Sequence, residues 1–244
     1  MTGYIHSVYN GGMVDGLGIR SVVFLSGCPL RCLYCHNPDS WVKTNGEKRT
    51  VEDVVNEVQK YSTFHKASGG GVTFTGGEPF VQTKFLTKLL QTCKEKGIHT
   101  ALDTSGHTTV QRAKSALPYT DLLMLDVKSI NPALYKKITG AELDPVLDML
   151  KLSLELNTPT WVRYVLVPGL TDDVDDIKAL AEYLRPFTNV KKVDVLPFHK
   201  AGEYKWHERK LDYQLTETPP PSKESLEMAR EILTINSVKS NSKV

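Results

Sequence analysis

Short apolar runs alternate with amphipathic ones along nearly the whole chain. Strand-like runs fall at residues 21–26, 71–75, 98–103, 122–127, 160–167 and 192–197. Helix-like runs separate or follow them at 51–65, 81–96, 110–116, 145–156, 173–184 and 223–236. Apolar strands joined through helices imply parallel strands with both faces covered. Roughly six βα units fall short of the eight in a closed barrel. The expected fold is therefore α/β, a partial (β/α)6 TIM-like barrel with parallel strands, open on one lateral side. Local signals support the element edges. Thr50 stands as an N-cap with Asp53 three residues on, and Gly97 stops the second helix. No linker or internal repeat divides residues 1–244, so a single domain is expected. The polar tail over 237–244 is expected to fray.

Composition sets bounds on partners. The net charge is only +2, which gives no basis for bulk binding to nucleic acid or membrane. The first apolar run, 22–25, is far too short to cross a bilayer. A cytoplasmic protein is expected, and nothing in the sequence demands more than a monomer.

Three of the four cysteines, Cys28, Cys32 and Cys35, lie within eight residues at C-x3-C-x2-C spacing, directly after the first strand. Barrel enzymes build their sites at that end of their strands. A tight triplet points to metal or redox chemistry rather than a disulfide framework. A structural zinc wants four protein ligands, and only three cysteines are local. Iron–sulfur clusters also usually take four, so the spacing by itself favours a cluster over zinc only in part. Cys93 shares a helix face with Leu86, Leu89 and Leu90 and reads as a core residue.

The other strand ends carry polar groups. The second ends in Thr75-Gly76-Gly77-Glu78-Pro79, where paired glycines let backbone approach a ligand. The third ends in Asp103-Thr104-Ser105-Gly106 and the fourth in Asp126-Val127-Lys128. A carboxylate placed there needs a partner, which Lys128 or a bound cation could supply. Arg163 interrupts an apolar strand, and His199 follows the last one.

Taken together, the triplet after a first strand and the Gly-Gly-Glu-Pro run resemble the radical S-adenosylmethionine superfamily. That resemblance implies a 4Fe-4S cluster on three cysteines, with one iron left open for S-adenosylmethionine. Its reductive cleavage yields a 5′-deoxyadenosyl radical. The segments Gly12 to Arg20, Cys35 to Asp39, Ala67 to Thr73 and Lys205-Trp206 further resemble the activating enzymes of glycyl radical enzymes. Leu17 departs from that family, which usually has Pro there. No cysteine lies between Cys35 and Cys93, so the resemblance is to the compact, pyruvate formate-lyase type rather than to members with a cysteine-rich insertion.

The resemblance assigns roles position by position. Cys28, Cys32 and Cys35 match the cluster ligands, with Tyr34 and His36 packed nearby. Gly76, Gly77 and Glu78 match the contact to the cofactor's amino group. Lys128, Arg163 and His199 match contacts to its carboxylate or nucleoside. Asp103, Thr104, Met124 and Asp126 match a monovalent-cation site, the Met through its carbonyl. Asp15 and His36 match positions near the substrate glycine. The implied partners are pyruvate formate-lyase, whose backbone glycine loses a hydrogen atom, and flavodoxin or ferredoxin as electron donor. A small-molecule radical enzyme and a zinc-binding module are the readings from other classes.

Overall fold

The structure is a computed structural model that describes residues 1–234. Eight strands form one sheet: β1 (Thr2–Gly12), β2 (Arg20–Leu25), β3 (Glu47–Thr50), β4 (Gly71–Gly76), β5 (His99–Thr104), β6 (Leu122–Asp126), β7 (Thr160–Leu166) and β8 (Val190–Pro197). The spatial order is β3-β1-β2-β4-β5-β6-β7-β8. From β2 onward all neighbours pair in parallel, so the six expected strands are present in sequence order. β3 and β8 are the edges and do not pair, which leaves the barrel partial.

Nine α-helices are described: α1 (Val51–Gln59), α2 (Ser62–Ser68), α3 (Thr83–Glu95), α4 (Val110–Ala116), α5 (Pro132–Thr139), α6 (Asp144–Glu155), α7 (Val174–Leu184), α8 (Glu203–Glu208) and α9 (Lys223–Thr234). The pleat separates two environments. Val23, Leu25, Val72, Phe74, Leu102, Leu123, Leu125 and Val162 pack into the main core with helix residues such as Leu86, Leu89 and Leu90. The alternate positions face inward, and toward the strands' C-terminal ends these include Thr75, Asp103, Asp126 and Arg163. Deeper on the same face, Ala101, Leu122, Met124 and Trp161 make a small apolar cluster. Cys93 is fully buried in the main core, as its spacing predicts.

Several elements differ from expectation. Residues 51–65 form two helices, because the chain leaves α1 at Lys60 and restarts after Tyr61. The region 81–96 opens with a 3-10 turn, Pro79–Gln82, before α3. α5 and α8 were not expected. Neither were β1 and β3, which add an antiparallel flap to the parallel sheet. In β1 the buried positions include Gly3 and Gly12, so apolar alternation is weak. β3 is Glu-Lys-Arg-Thr, a polar edge of the kind that resists further pairing. The last helix ends at Thr234 within the described residues, and positions 235–236 and the tail over 237–244 lie outside them.

The expected capping box forms, and a second cap lies where α7 was expected to begin. Thr50 and Asp53 make a reciprocal capping box on α1. Asp173 caps α7 by accepting from the Asp175 and Asp176 amides at 2.9 and 3.0 Å. Asp173→Ala is expected to lower stability by about 1 kcal/mol, read as a shifted urea midpoint with unchanged slope.

Candidate active site

The segment after β2 carries the cysteine triplet and is held from several sides. Gly27 N–H donates to the Ser40 carbonyl at 2.7 Å, and Cys28 N–H to Trp41 at 3.1 Å. On the opposite flank, Arg31 and Leu33 amides donate to Thr139 and Ile138, capping carbonyls at the end of α5. The Trp206 indole donates to the Cys35 carbonyl at 2.8 Å. Cys28, Cys32 and Cys35 are free thiols that line one cavity of about 450 Å3.

These thiols fit an iron–sulfur group by their chemistry. Burial pushes Cys28 and Cys32 up to about 12 and raises Cys35 as well. Buried thiolates are costly without positive charge, and iron bound in place of their protons would supply it. Among the described residues, no group of three or more His, Cys, Asp or Glu side chains is gathered to hold a single metal ion. Three soft sulfur donors lining one cavity suit an iron–sulfur cluster.

Beside the triplet runs the turn after β4, whose Gly77 and Glu78 amides donate to the Leu25 and Gly27 carbonyls at 2.8 Å each. Gly76 has φ +123, a conformation that side chains rarely adopt. A Cβ on Gly77 would collide with the Gly27 carbonyl, so glycine lets this turn lie against the cysteine loop. Both glycines line the cavity. Glu78 does not. It is fully buried, and its carboxylate accepts from Phe80 N–H at 3.0 Å, Ser105 N–H at 2.9 Å, Ser105 Oγ at 2.5 Å and Thr104 Oγ1 at 2.8 Å. Burial raises its pKa and these donors pull it back. Glu78 thus ties the β4 turn to the β5 turn behind the cavity wall, rather than presenting its carboxylate to the cavity.

The inward strand ends form a charged floor. Arg163 Nη1 lies 2.9 Å from Asp103, and Lys128 Nζ lies 2.7 Å from Asp126. Arg163 Nε reaches Asp126 at 3.9 Å. Asp103 also accepts from Thr75 Oγ1 at 2.7 Å, while its Oδ1 is buried without a partner. Burial would raise Asp126, but Lys128 and Arg163 hold it below the usual carboxylate range. Burial works against the Lys128 charge, yet Asp126 keeps its pKa well above the ordinary lysine value. Asp103 raises Arg163 in the same way. Asp15 enters the cavity from the segment before β2, its carboxyl raised by burial and by Asp103.

Two histidines close the rim. His36 Nε2 donates to the His199 carbonyl at 2.9 Å, and the two rings lie 4.3 Å apart. Burial lowers the His36 pKa, favouring the neutral ring. Lys205 Nζ binds Asn37 Oδ1 at 2.8 Å and Asp39 Oδ2 at 3.1 Å, joining α8 to the turn after the triplet. Tyr34 also lines the cavity, with its hydroxyl buried and unpartnered.

Of the residues expected at the site, all line this cavity except Glu78 and Met124, whose side chain lies in the small apolar cluster below. Sequence reasoning did not assign the parts played by Thr75, Ser105 and Trp206. Their signal was weak, because each acts through a hydrogen bond to a residue distant in sequence.

A partial barrel with a three-cysteine loop after its first parallel strand defines a class, and residues 22–184 match the model of the Radical SAM superfamily. The chain belongs to that superfamily. It is 42% identical over 243 residues to a pyruvate formate-lyase-activating enzyme of Listeria monocytogenes, covering 97% of this chain and 98% of that one. It is 43% identical over 235 residues to the pyruvate formate-lyase 1-activating enzyme of Escherichia coli K12, covering 95% of each. A solved domain of a pyruvate-formate lyase-activating enzyme from Bacteroides vulgatus superposes with TM-score 0.57 at 27% identity, over 68% of this chain and 93% of that one. Within the superfamily, the chain belongs to the family of pyruvate formate-lyase-activating enzymes.

Proposed function

We propose that this chain activates pyruvate formate-lyase by abstracting a hydrogen atom from one of its backbone glycines, leaving a glycyl radical. The observation that carries the reading is the convergence of three free thiols, a glycine turn and a paired-charge floor on one cavity. It occurs in a chain 42% identical, over nearly its whole length, to an enzyme named for this activity. Family membership implies a 4Fe-4S cluster and S-adenosylmethionine. When bound, the reduced cluster supplies the electron that cleaves the sulfonium and frees a 5′-deoxyadenosyl radical.

The protein's own groups bind, orient and exclude water. In this reading Cys28, Cys32 and Cys35 ligate the cluster, beside Tyr34. The backbone of Gly76 and Gly77 faces the cofactor's amino group, while Glu78 fixes that turn from behind. Lys128, Arg163 and His199 take the carboxylate and nucleoside. Asp103 and Asp126, with Thr104 and the Met124 carbonyl, would hold a monovalent cation. That cation must compete with Arg163 and Lys128, which neutralise both carboxylates here. Asp15 and His36 meet the incoming glycine loop, which must bring its α-carbon within about 3–3.5 Å of the reactive carbon. The unpaired sheet edges leave a side of the barrel for such a loop to enter.

Flavodoxin or ferredoxin serves as electron donor, and the enzyme works as a cytoplasmic monomer in one radical SAM domain. Among the described residues, no helix is long and apolar enough to cross a membrane. The decisive experiment is anaerobic reconstitution with iron and sulfide, followed by S-adenosylmethionine, reductant and pyruvate formate-lyase. A glycyl radical signal by EPR on pyruvate formate-lyase is expected. Cofactor cleavage with no radical on the partner would reject the reading in favour of another substrate.

A further inference from the structure

The segment between β1 and β2 is built from glycines and exposed apolar residues, and it carries Asp15 into the cavity. Met13 is 76% exposed, Val14 80% and Leu17 49%. Gly16 and Gly18 have φ of +124 and +64, and residues 13–18 make no backbone–backbone hydrogen bond with one another. Such a segment has little to hold its shape from within. Its position comes from outside.

Arg20 is fully buried, and its guanidinium is satisfied by backbone carbonyls, a hydroxyl and the His99 ring nitrogen. Nε donates to Thr73 Oγ1 at 2.6 Å, and Thr73 Oγ1 in turn donates to the Asp15 carbonyl at 2.6 Å. Nη1 donates to the Leu17 carbonyl at 2.9 Å. Nη2 donates to the Val72 carbonyl at 2.5 Å and the His99 carbonyl at 3.2 Å. No carboxylate lies within ion-pair distance of Arg20 among the described residues. A buried guanidinium without a carboxylate is costly, so carbonyls that satisfy it are strongly held. The Leu17 carbonyl, held by Arg20 directly, and the Asp15 carbonyl, held through Thr73, flank Gly16. A Cβ on Gly16 would lie 3.1 Å from Arg20 Cδ, which shows how closely the segment rests on this side chain.

We propose that Arg20 and Thr73 are positioning residues for partner recognition, clamping the segment so that Asp15 faces the cavity while Met13, Val14 and Leu17 face the incoming glycine loop. The inference rests on the reading that the partner's loop enters past Asp15. It makes the apolar rim a preformed half of the docking site, so its loss weakens partner binding without touching cofactor cleavage.

The test uses Thr73→Val, which keeps the shape and removes the bridging hydroxyl, with Thr73→Ser as the conservative control. Reconstituted enzyme is titrated with pyruvate formate-lyase, and amide exchange is followed over residues 13–19 in protein without cluster. Thr73→Val is expected to raise KM for the partner about tenfold, with kcat and partner-independent cofactor cleavage near wild type. Exchange over 13–19 should rise by a similar factor while β5 and β6 stay protected. Thr73→Ser should retain the wild-type KM. Unchanged exchange, an unchanged KM, or an equal fall in cofactor cleavage overturns the proposal. A wild-type enzyme that cleaves the cofactor but activates no partner would instead reject the underlying reading, and the exchange comparison would still decide the clamp.

Discussion

Cys32→Ala is expected to give a folded, colourless protein that binds no stoichiometric cluster and releases no 5′-deoxyadenosine with reductant and S-adenosylmethionine. Folding should survive because the loop's tethers are backbone amides on the 38–41 turn and the end of α5, with the Trp206 indole on Cys35. None of them uses sulfur. Activity should not survive, because only three thiols face the cavity and no further cysteine does. Cys93→Ala is the matched control. Cys93 sits in the main core between helix and sheet, so its loss should cost about 1 kcal/mol and leave the iron content intact. Iron and sulfide analysis of both proteins checks the pair. Loss of iron in Cys93→Ala would contradict its placement in the core.

Glu78→Ala is expected to destabilise the protein without cluster by roughly 3 kcal/mol or more, measured by urea unfolding. The carboxylate is the shared acceptor for two backbone amides and two hydroxyls, all buried. Removing it leaves those donors unpaired in a site too tight for easy repair. It also unties the β4 turn from the β5 turn, so Gly77 and Thr104 no longer share a rigid wall. Cofactor binding, followed by equilibrium dialysis of reconstituted enzyme, should fall with stability. Full retention of both would mean that the turn is held by its backbone alone.

The parts of this site that could be read from the chain are those whose chemistry is local. The cysteine spacing, the glycine pair and the acids at strand ends each lie within a few residues and follow an apolar run. The six parallel strands were legible for the same reason. What could not be read depends on distant partners. The hydrogen bonds that bury the Glu78 carboxylate were hidden because their donors, Thr104 and Ser105, come from another strand end. Arg20 looked like the last residue of a motif, and only the fold brings it to Thr73 and the Leu17 carbonyl. β1 was hidden because its buried Gly3 sits where a Cβ would strike Phe85, so packing there demands the smallest residue. α5 begins at Pro132 behind an Asn131 cap, and its eight residues carry too short a pattern to stand out.

The cysteine loop's tethers have a practical meaning for how its site could be emptied and refilled. Its outline is set by peptide groups, the Arg31 guanidinium and the Trp206 indole, so loss of a cluster would leave the mould in place. An emptied molecule whose three thiols are still reduced is therefore a candidate for refilling with iron and sulfide rather than disposal.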